Sequence, residues 1–187
     1  MTNNQAPLAE QKICVKCGLC CDGTLFPHAN LLPGEKGHLP EKIEQNYFRI
    51  KDKECFRLPC KYFDGKCTIY TDERANVCRT YRCQLLKDLA DNKVTDQDAQ
   101  EIVRQAVQTR SELIEQYLKL SGSNKNIFFR EVLSGLVKMQ QSGLHKGEKQ
   151  KEIEILLARC NIFESLLIKY FKSTSEFEAL VSNDDEK

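Results

Sequence analysis

The sequence lacks an excess of either charge, since its 187 residues include 28 Lys and Arg and 27 Asp and Glu, a formal net charge of +1. Binding to nucleic acid through phosphates needs a clustered excess of basic residues, so this balance argues against such a partner. No apolar run approaches the length of about 18 residues that a membrane-spanning helix needs, so we expect no membrane partner. The first ten residues have neither a basic nor an apolar segment, which argues against a secretory signal peptide.

Signs of a known catalytic centre are also missing. No glycine-rich G-x-G-x-x-G segment follows a predicted strand, so the sequence offers no cradle for a nucleotide or a methyl donor. The second half shows no grouping of carboxylate, His or Ser side chains. We therefore predict no catalytic residue, and an enzymatic role stays open.

Cysteine is plentiful and unevenly distributed. Nine of the ten cysteines lie between Cys14 and Cys83, and the second half has only Cys160. Such clustering indicates either disulfides or metal ligands. Without a signal peptide we expect a reducing, cytoplasmic location, where closely spaced cysteines are typical of metal binding rather than of a disulfide scaffold.

The rest of the pattern predicts a mostly α protein in which an irregular, cysteine-rich metal-binding region is packed with a helical bundle. The cysteine region contains four of the five prolines, which indicates turns and loops that metal ligation would hold in shape. We expect a flexible arm over residues 1–12, the cysteine region over 13–90, the bundle over 91–182 and an acidic tail over 183–187.

Helical periodicity begins beyond the cysteine region. Thr95 and Asp98 form a predicted capping box at the start of the first helix. Cys160 lies on an apolar stripe, where a lone cysteine is usually a small buried hydrophobic residue. Apolar residues recurring at three- and four-residue steps predict helices over about 95–122, 125–142, 149–172 and Glu176–Val181.

The first block of thiols reads Cys14-Val15-Lys16-Cys17-Gly18-Leu19-Cys20-Cys21. A spacing of two residues lets a tight turn direct both sulfurs at one ion, and Gly18 suits a left-handed turn. Neighbouring side chains such as Cys20 and Cys21 tend to point apart. The pair therefore serves two centres, or one of the two thiols bridges or stays free.

The second block contains Cys60, Cys67, Cys78 and Cys83, with Cys55 ahead of it. Four sulfurs are the usual ligand set of a structural zinc ion or an iron–sulfur cluster. The nine thiols of the two blocks exceed the needs of one ion and are enough for two sites. His28 and His38 lie between the blocks, and we expect them on the loop surface.

The two blocks resemble the cysteine-cluster family, also called CxxCxxCC or YkgJ-like, whose members are described as zinc- or iron-chelating. The likeness covers about residues 13–85 and includes the opening C-x2-C-G-x-C-C, the segment Cys67-Thr68-Ile69-Tyr70 and the segment from Arg74 to Cys83. Ala75 stands where the family usually has Pro. The resemblance implies that the metal ligands are Cys14, Cys17, Cys20, Cys21, Cys60, Cys67, Cys78 and Cys83. We expect Arg74, Ile69 and Tyr70 to be packing and turn residues and not reactive ones.

Several functions remain open at this level. The first is a zinc- or iron-binding module whose ion is structural and which acts through a protein partner, because a site made only of thiols leaves no open position for a substrate. The second is an iron–sulfur redox protein, since Cys14-x2-Cys17-x2-Cys20 resembles the start of a ferredoxin motif, although Cys21 then follows at once. A thiol enzyme and a zinc-finger-like nucleic-acid binder are weaker alternatives.

Overall fold

The computed structural model describes residues 8–142 and 146–172, and in these residues the chain is mostly α-helical with one small sheet. The helices are α1 (Leu8–Cys17), α2 (Glu41–Glu44), α3 (Asn76–Thr80), α4 (Gln84–Ala90), α5 (Asp96–Ser121), α6 (Phe129–Gln141) and α7 (Glu148–Phe171). The strands are β1 (His28–Asn30), β2 (Tyr47–Ile50) and β3 (Lys53–Arg57). The chain divides into two compact units, Met1–Val103 and Arg104–Lys187, so the division falls inside α5. The mostly α fold is confirmed, whereas the sheet was not predicted.

Helix α1 carries the first pair of thiols. Its sequence begins with good helix formers, and Ile13 is buried on its inner face. The helix ends at Cys17 because Gly18 adopts a left-handed conformation with φ of 65°, as at many helix C-termini. Residues 8–12, which the sequence assigns to the arm, are helical in the structure. The Cys14-x2-Cys17 spacing therefore forms the last turn of a helix, where residues three apart share a face.

The sheet contains three antiparallel strands in the order β1-β3-β2. Phe56 of the central strand β3 pairs with Ala29 on one side and Tyr47 on the other, and its side chain is buried. Strands of three to five residues are too short for alternation of polar and apolar residues to stand out in a sequence. For this reason the sheet could not be predicted from the sequence, whose prolines and glycines in this region indicate loops.

A small hydrophobic core under the sheet holds the second block of cysteines in place. The buried residues of this core are Leu31, Ile43, Phe56 and Ala75, and Cys60 and Val77 pack partly buried against it. The carboxylate of Glu35 accepts hydrogen bonds from the backbone N–H of Leu32 at 2.7 Å and of Asn76 at 2.6 Å. The loop after β1 is thereby joined to the start of α3, which carries Cys78.

The second unit contains α6, α7 and the part of α5 from Arg104 onwards. Phe129 of α6 and Phe163 of α7 are both buried and meet edge to face with ring centroids 5.0 Å apart. Cys160 is buried on the inner face of α7, as the periodicity predicts. The predicted helices at 125–142 and 149–172 match α6 and α7 closely, and the predicted short helix Glu176–Val181 lies outside the described residues. No helix in the described part of the chain is long and apolar enough to span a membrane.

The capping box at the start of α5 is confirmed. The backbone N–H of Asp98 donates to Thr95 Oγ1 at 3.1 Å, and the backbone N–H of Thr95 donates to Asp98 Oδ2 at 3.4 Å. We expect the substitution Thr95→Ala to lower the free energy of unfolding by about 1 kcal/mol, because an N–H of the first turn loses its partner. Urea unfolding followed by circular dichroism measures the change. Thr95→Ser keeps the hydroxyl, so an equal loss in that variant would contradict the capping role.

Candidate metal centre

All ten cysteines are free thiols, and the eight that the sequence predicts as ligands all lie in the first unit. They are carried by α1, by the turn after it, by the loop after β3, by α3 and by the residue that precedes α4. These segments are separated by up to 69 positions in the sequence, from Cys14 to Cys83. The fold therefore brings together what the sequence shows only as two blocks.

A tight turn positions the adjacent thiols of Cys20 and Cys21. The backbone N–H of Asp22 donates to the carbonyl of Gly18 at 2.9 Å. The backbone N–H of Leu25 donates to the carbonyl of Leu19, also at 2.9 Å. Leu19 and Leu25 are fully buried and anchor the turn. The two cysteines are thus held on a rigid segment between α1 and β1.

The loop after β3 is fixed directly to this turn. The backbone N–H of Cys60 donates to the carbonyl of Cys21 at 2.7 Å. Phe63 then pairs with Cys67 in an isolated β-bridge, which closes a short hairpin. The ring of Phe63 lies so close to Gly18 that a Cβ there would collide with it. The first and second blocks of the motif therefore meet at Gly18 and Cys21.

Cys83 is held by the start of α4, to which α1 is tied. Cys83 occupies the N-cap position without a side-chain cap hydrogen bond, yet the backbone N–H groups of Leu86 and Leu85 favour its thiolate. Burial is the larger effect and raises the pKa of Cys83 to about 11. The guanidinium of Arg82 forms an ion pair with Glu10 of α1, whose side chain is buried. This pair joins the two elements that carry Cys14, Cys17 and Cys83.

Electrostatic interactions divide the thiols into two groups. Burial raises the pKa of Cys20 well above its ordinary value, and the thiolates of Cys17, Cys83, Cys21 and Cys14 raise it further by repulsion. The pKa of Cys17 is likewise raised by burial and by Cys83 and Cys14, while the N–H of Leu19 opposes the shift. We call Cys14, Cys17, Cys20 and Cys83 the first thiol group.

The thiol of Cys21 interacts mainly with a second set of cysteines. Burial raises its pKa well above the ordinary value, and repulsion comes from Cys78, Cys67, Cys14 and Cys60. The pKa of Cys78 is raised by burial and then by Cys60, with Cys67 adding to the shift. We call Cys21, Cys60, Cys67 and Cys78 the second thiol group. Cys14 also interacts with Cys67, so it lies at the border between the two groups.

The thiol groups are assemblies of neighbours, not finished coordination shells. Among residues 8–142 and 146–172, no three Cys, His, Asp or Glu side chains are arranged so that they could already hold a metal ion. The donor chemistry suits zinc or iron, since clustered thiols supply the soft sulfur ligands that these metals take. Ligation in this fold therefore requires the side chains within a group to draw closer together.

Two cysteines and two histidines stand apart from these groups. Cys55 is buried on β3, where its Sγ donates to Asn30 Oδ1 at 3.3 Å, and none of the shifts in its pKa comes from another thiol. Cys160 belongs to the second unit. His28 meets the ring of Phe48 edge to face at 5.7 Å, and His38 lies in the loop before α2.

Arg74, which the sequence analysis assigned to packing and turns, lies beside the thiols. Its side chain is buried, with its guanidinium 4.2 Å from the centroid of the Tyr70 ring and Nη1 donating to the carbonyl of Cys78 at 3.4 Å. Its positive charge lowers the pKa of both Cys14 and Cys78, against the larger opposing effect of burial at Cys14 and of burial and Cys60 at Cys78. The position four residues before Cys78 was the available signal, but only the fold places the guanidinium beside a thiol from each group.

Comparison with known proteins adds no relative. A scan against protein-family models, a search of curated proteins and a search of solved structures found no match for this chain. The likeness to the cysteine-cluster family accordingly rests on the spacing of the thiols and the residues between them. The function must be argued from the site itself.

Proposed function

We propose that the first unit is a metal-binding module that chelates zinc or iron through the two thiol groups, one ion in each. The observation that carries this proposal is that Cys17 and Cys83 act on the thiol of Cys20, whereas Cys78, Cys67 and Cys60 act on the thiol of its neighbour Cys21. Four sulfurs form a complete ligand set for one zinc ion. A shared turn would then link two sites through the peptide bond between Cys20 and Cys21.

The electrostatics of the thiols support a cationic occupant. Burial and mutual repulsion hold the pKa of Cys17, Cys20 and Cys21 above the ordinary value, so these thiolates are unfavourable without a nearby positive charge. A bound metal ion deprotonates the thiols that ligate it. Two four-thiolate sites would also carry excess negative charge, which Arg74 and the N–H groups facing Cys17 and Cys83 would partly offset.

A structural role for the ions follows from the donor set. Sites made only of thiolates are closed and leave no position for a substrate on the metal. Because the thiols must draw closer to ligate, the binding free energy would contribute to the stability of a unit whose own hydrophobic core is small. We propose that the protein works in the reducing cytoplasm and acts through a protein partner, since ten free thiols suit that compartment.

Metal analysis of protein purified without oxygen tests the proposal. We expect about two zinc ions per chain, colourless protein and loss of folded structure in the first unit on treatment with a strong chelator. The iron–sulfur alternative predicts iron with acid-labile sulfide and a visible absorption band that bleaches with dithionite. Protein that contains neither metal in near-stoichiometric amount, and does not take up added zinc or iron, would rule out both.

A further inference from the structure

A small pocket in the first unit lies at the border of the two thiol groups. Cys14 and Cys78 form part of its wall, and both are exposed residues. The remaining polar residues of the lining are Tyr70, Tyr81, Glu10, Arg74, Arg79 and Arg82.

One carboxylate, that of Glu10, lines the pocket against three arginines. Glu10 is paired with Arg82. Within the described part of the chain no carboxylate pairs with Arg74 or Arg79. Arg74 gives the stronger indication of an anion, because the residue is only 8% exposed and its Nε has no hydrogen-bond partner. A buried guanidinium with an unused donor is costly unless an anion completes it.

We propose that this pocket binds the carboxylate group of a small organic acid, with Arg74 and Arg79 as its principal ligands. The volume of the pocket, about 20 Å³, suits the one or two oxygen atoms of a carboxylate. The planar guanidinium fork matches a carboxylate with two parallel hydrogen bonds. Arg82 and Glu10 already form an ion pair between a guanidinium and a carboxylate at the same pocket.

The inference stands apart from metal binding, although the two sites adjoin. Its argument uses the arginines, the unused Nε and the size of the pocket, none of which requires an ion. If both are correct, the carboxylate shares the charge of Arg74 with the ligating thiolates of Cys14 and Cys78, so acetate should bind more tightly to metal-free than to metal-loaded protein. Metal content measured on the same samples therefore separates failure of one proposal from failure of the other.

Acetate is the probe that matches the pocket. Arginine Nε–Hε signals of ¹⁵N-labelled full-length protein are followed by NMR while sodium acetate replaces sodium chloride at constant ionic strength. We expect the Arg74 signal to shift saturably, with a roughly millimolar dissociation constant for so small a ligand. Chloride alone should not reproduce the shift.

Variants identify the binding residues. Arg74→Gln and Arg79→Gln should each weaken acetate binding about tenfold through loss of a charge-assisted hydrogen bond. Arg79 is exposed, so its replacement tests the pocket even if Arg74→Gln fails to fold. Arg49→Gln is the matched control, because Arg49 is an exposed arginine of β2 outside the pocket lining. Shifts that do not saturate, or Arg79→Gln protein that binds acetate as tightly as the parent, would overturn the inference.

Discussion

Replacement of Cys21 by Ser is expected to remove the ion of the second thiol group and to lower the free energy of unfolding of the first unit by about 4 kcal/mol or more. The reason is that a hydroxyl is a poor ligand for zinc or iron, and metal-binding energy at a structural site is folding energy. Cys20→Ser should have the same effect on the first thiol group. Metal content by mass spectrometry and urea unfolding by circular dichroism measure both variants.

The adjacent cysteines make this experiment informative about the grouping. If Cys20 and Cys21 serve separate ions, each single variant should lose about one ion per chain and the double variant should lose both. Cys55→Ser is the matched control in the same unit, because Cys55 is buried but faces no other thiol. It should keep its metal content. Cys160→Ser should also keep it, with a cost of about 1–3 kcal/mol for burying a hydroxyl. Full metal content in Cys21→Ser protein would refute the two-group arrangement.

The second large effect is expected at Gly18. A side chain at this position is destabilising for two reasons: the backbone is left-handed, with φ of 65°, and a Cβ would collide with the Phe63 ring. Left-handed backbone costs an alanine about 1–2 kcal/mol, and forcing the ring aside adds about as much again. We expect Gly18→Ala to lower the free energy of unfolding by about 2–4 kcal/mol. Since Phe63 follows Cys60 and pairs with Cys67, its displacement should also reduce metal content.

Gly65 provides the control for that variant. Its φ of 64° is nearly the same as that of Gly18, but nothing lies within 4 Å of the position where a Cβ would stand. Gly65→Ala therefore isolates the backbone strain, at about 1–2 kcal/mol. The difference between the two variants measures the contact with Phe63. Equal losses of stability would mean that the contact between the two blocks of the motif does not matter.

The long helices could be predicted because their determinants are local. The capping pair of Thr95 and Asp98 and the apolar periodicity of α6 and α7 lie within each segment, and tertiary contacts only complete them. The burial of Cys160 was predictable on the same grounds. By contrast, the three strands are too short to show a period, and β3 acquires its order from partners on both sides.

The sequence by itself determined which residues are candidate ligands, because the spacing of the thiols and the glycine that ends α1 are local features of the chain. It left open whether Cys20 and Cys21 act together. Only the tertiary structure shows that Cys83 acts on the thiol of Cys20 and Cys78 on the thiol of Cys21, which is the basis of the proposed two sites. It alone also brings Arg74 close to both Cys14 and Cys78. The physical reason is that charge and burial act through space, whereas spacing in a sequence constrains only near neighbours.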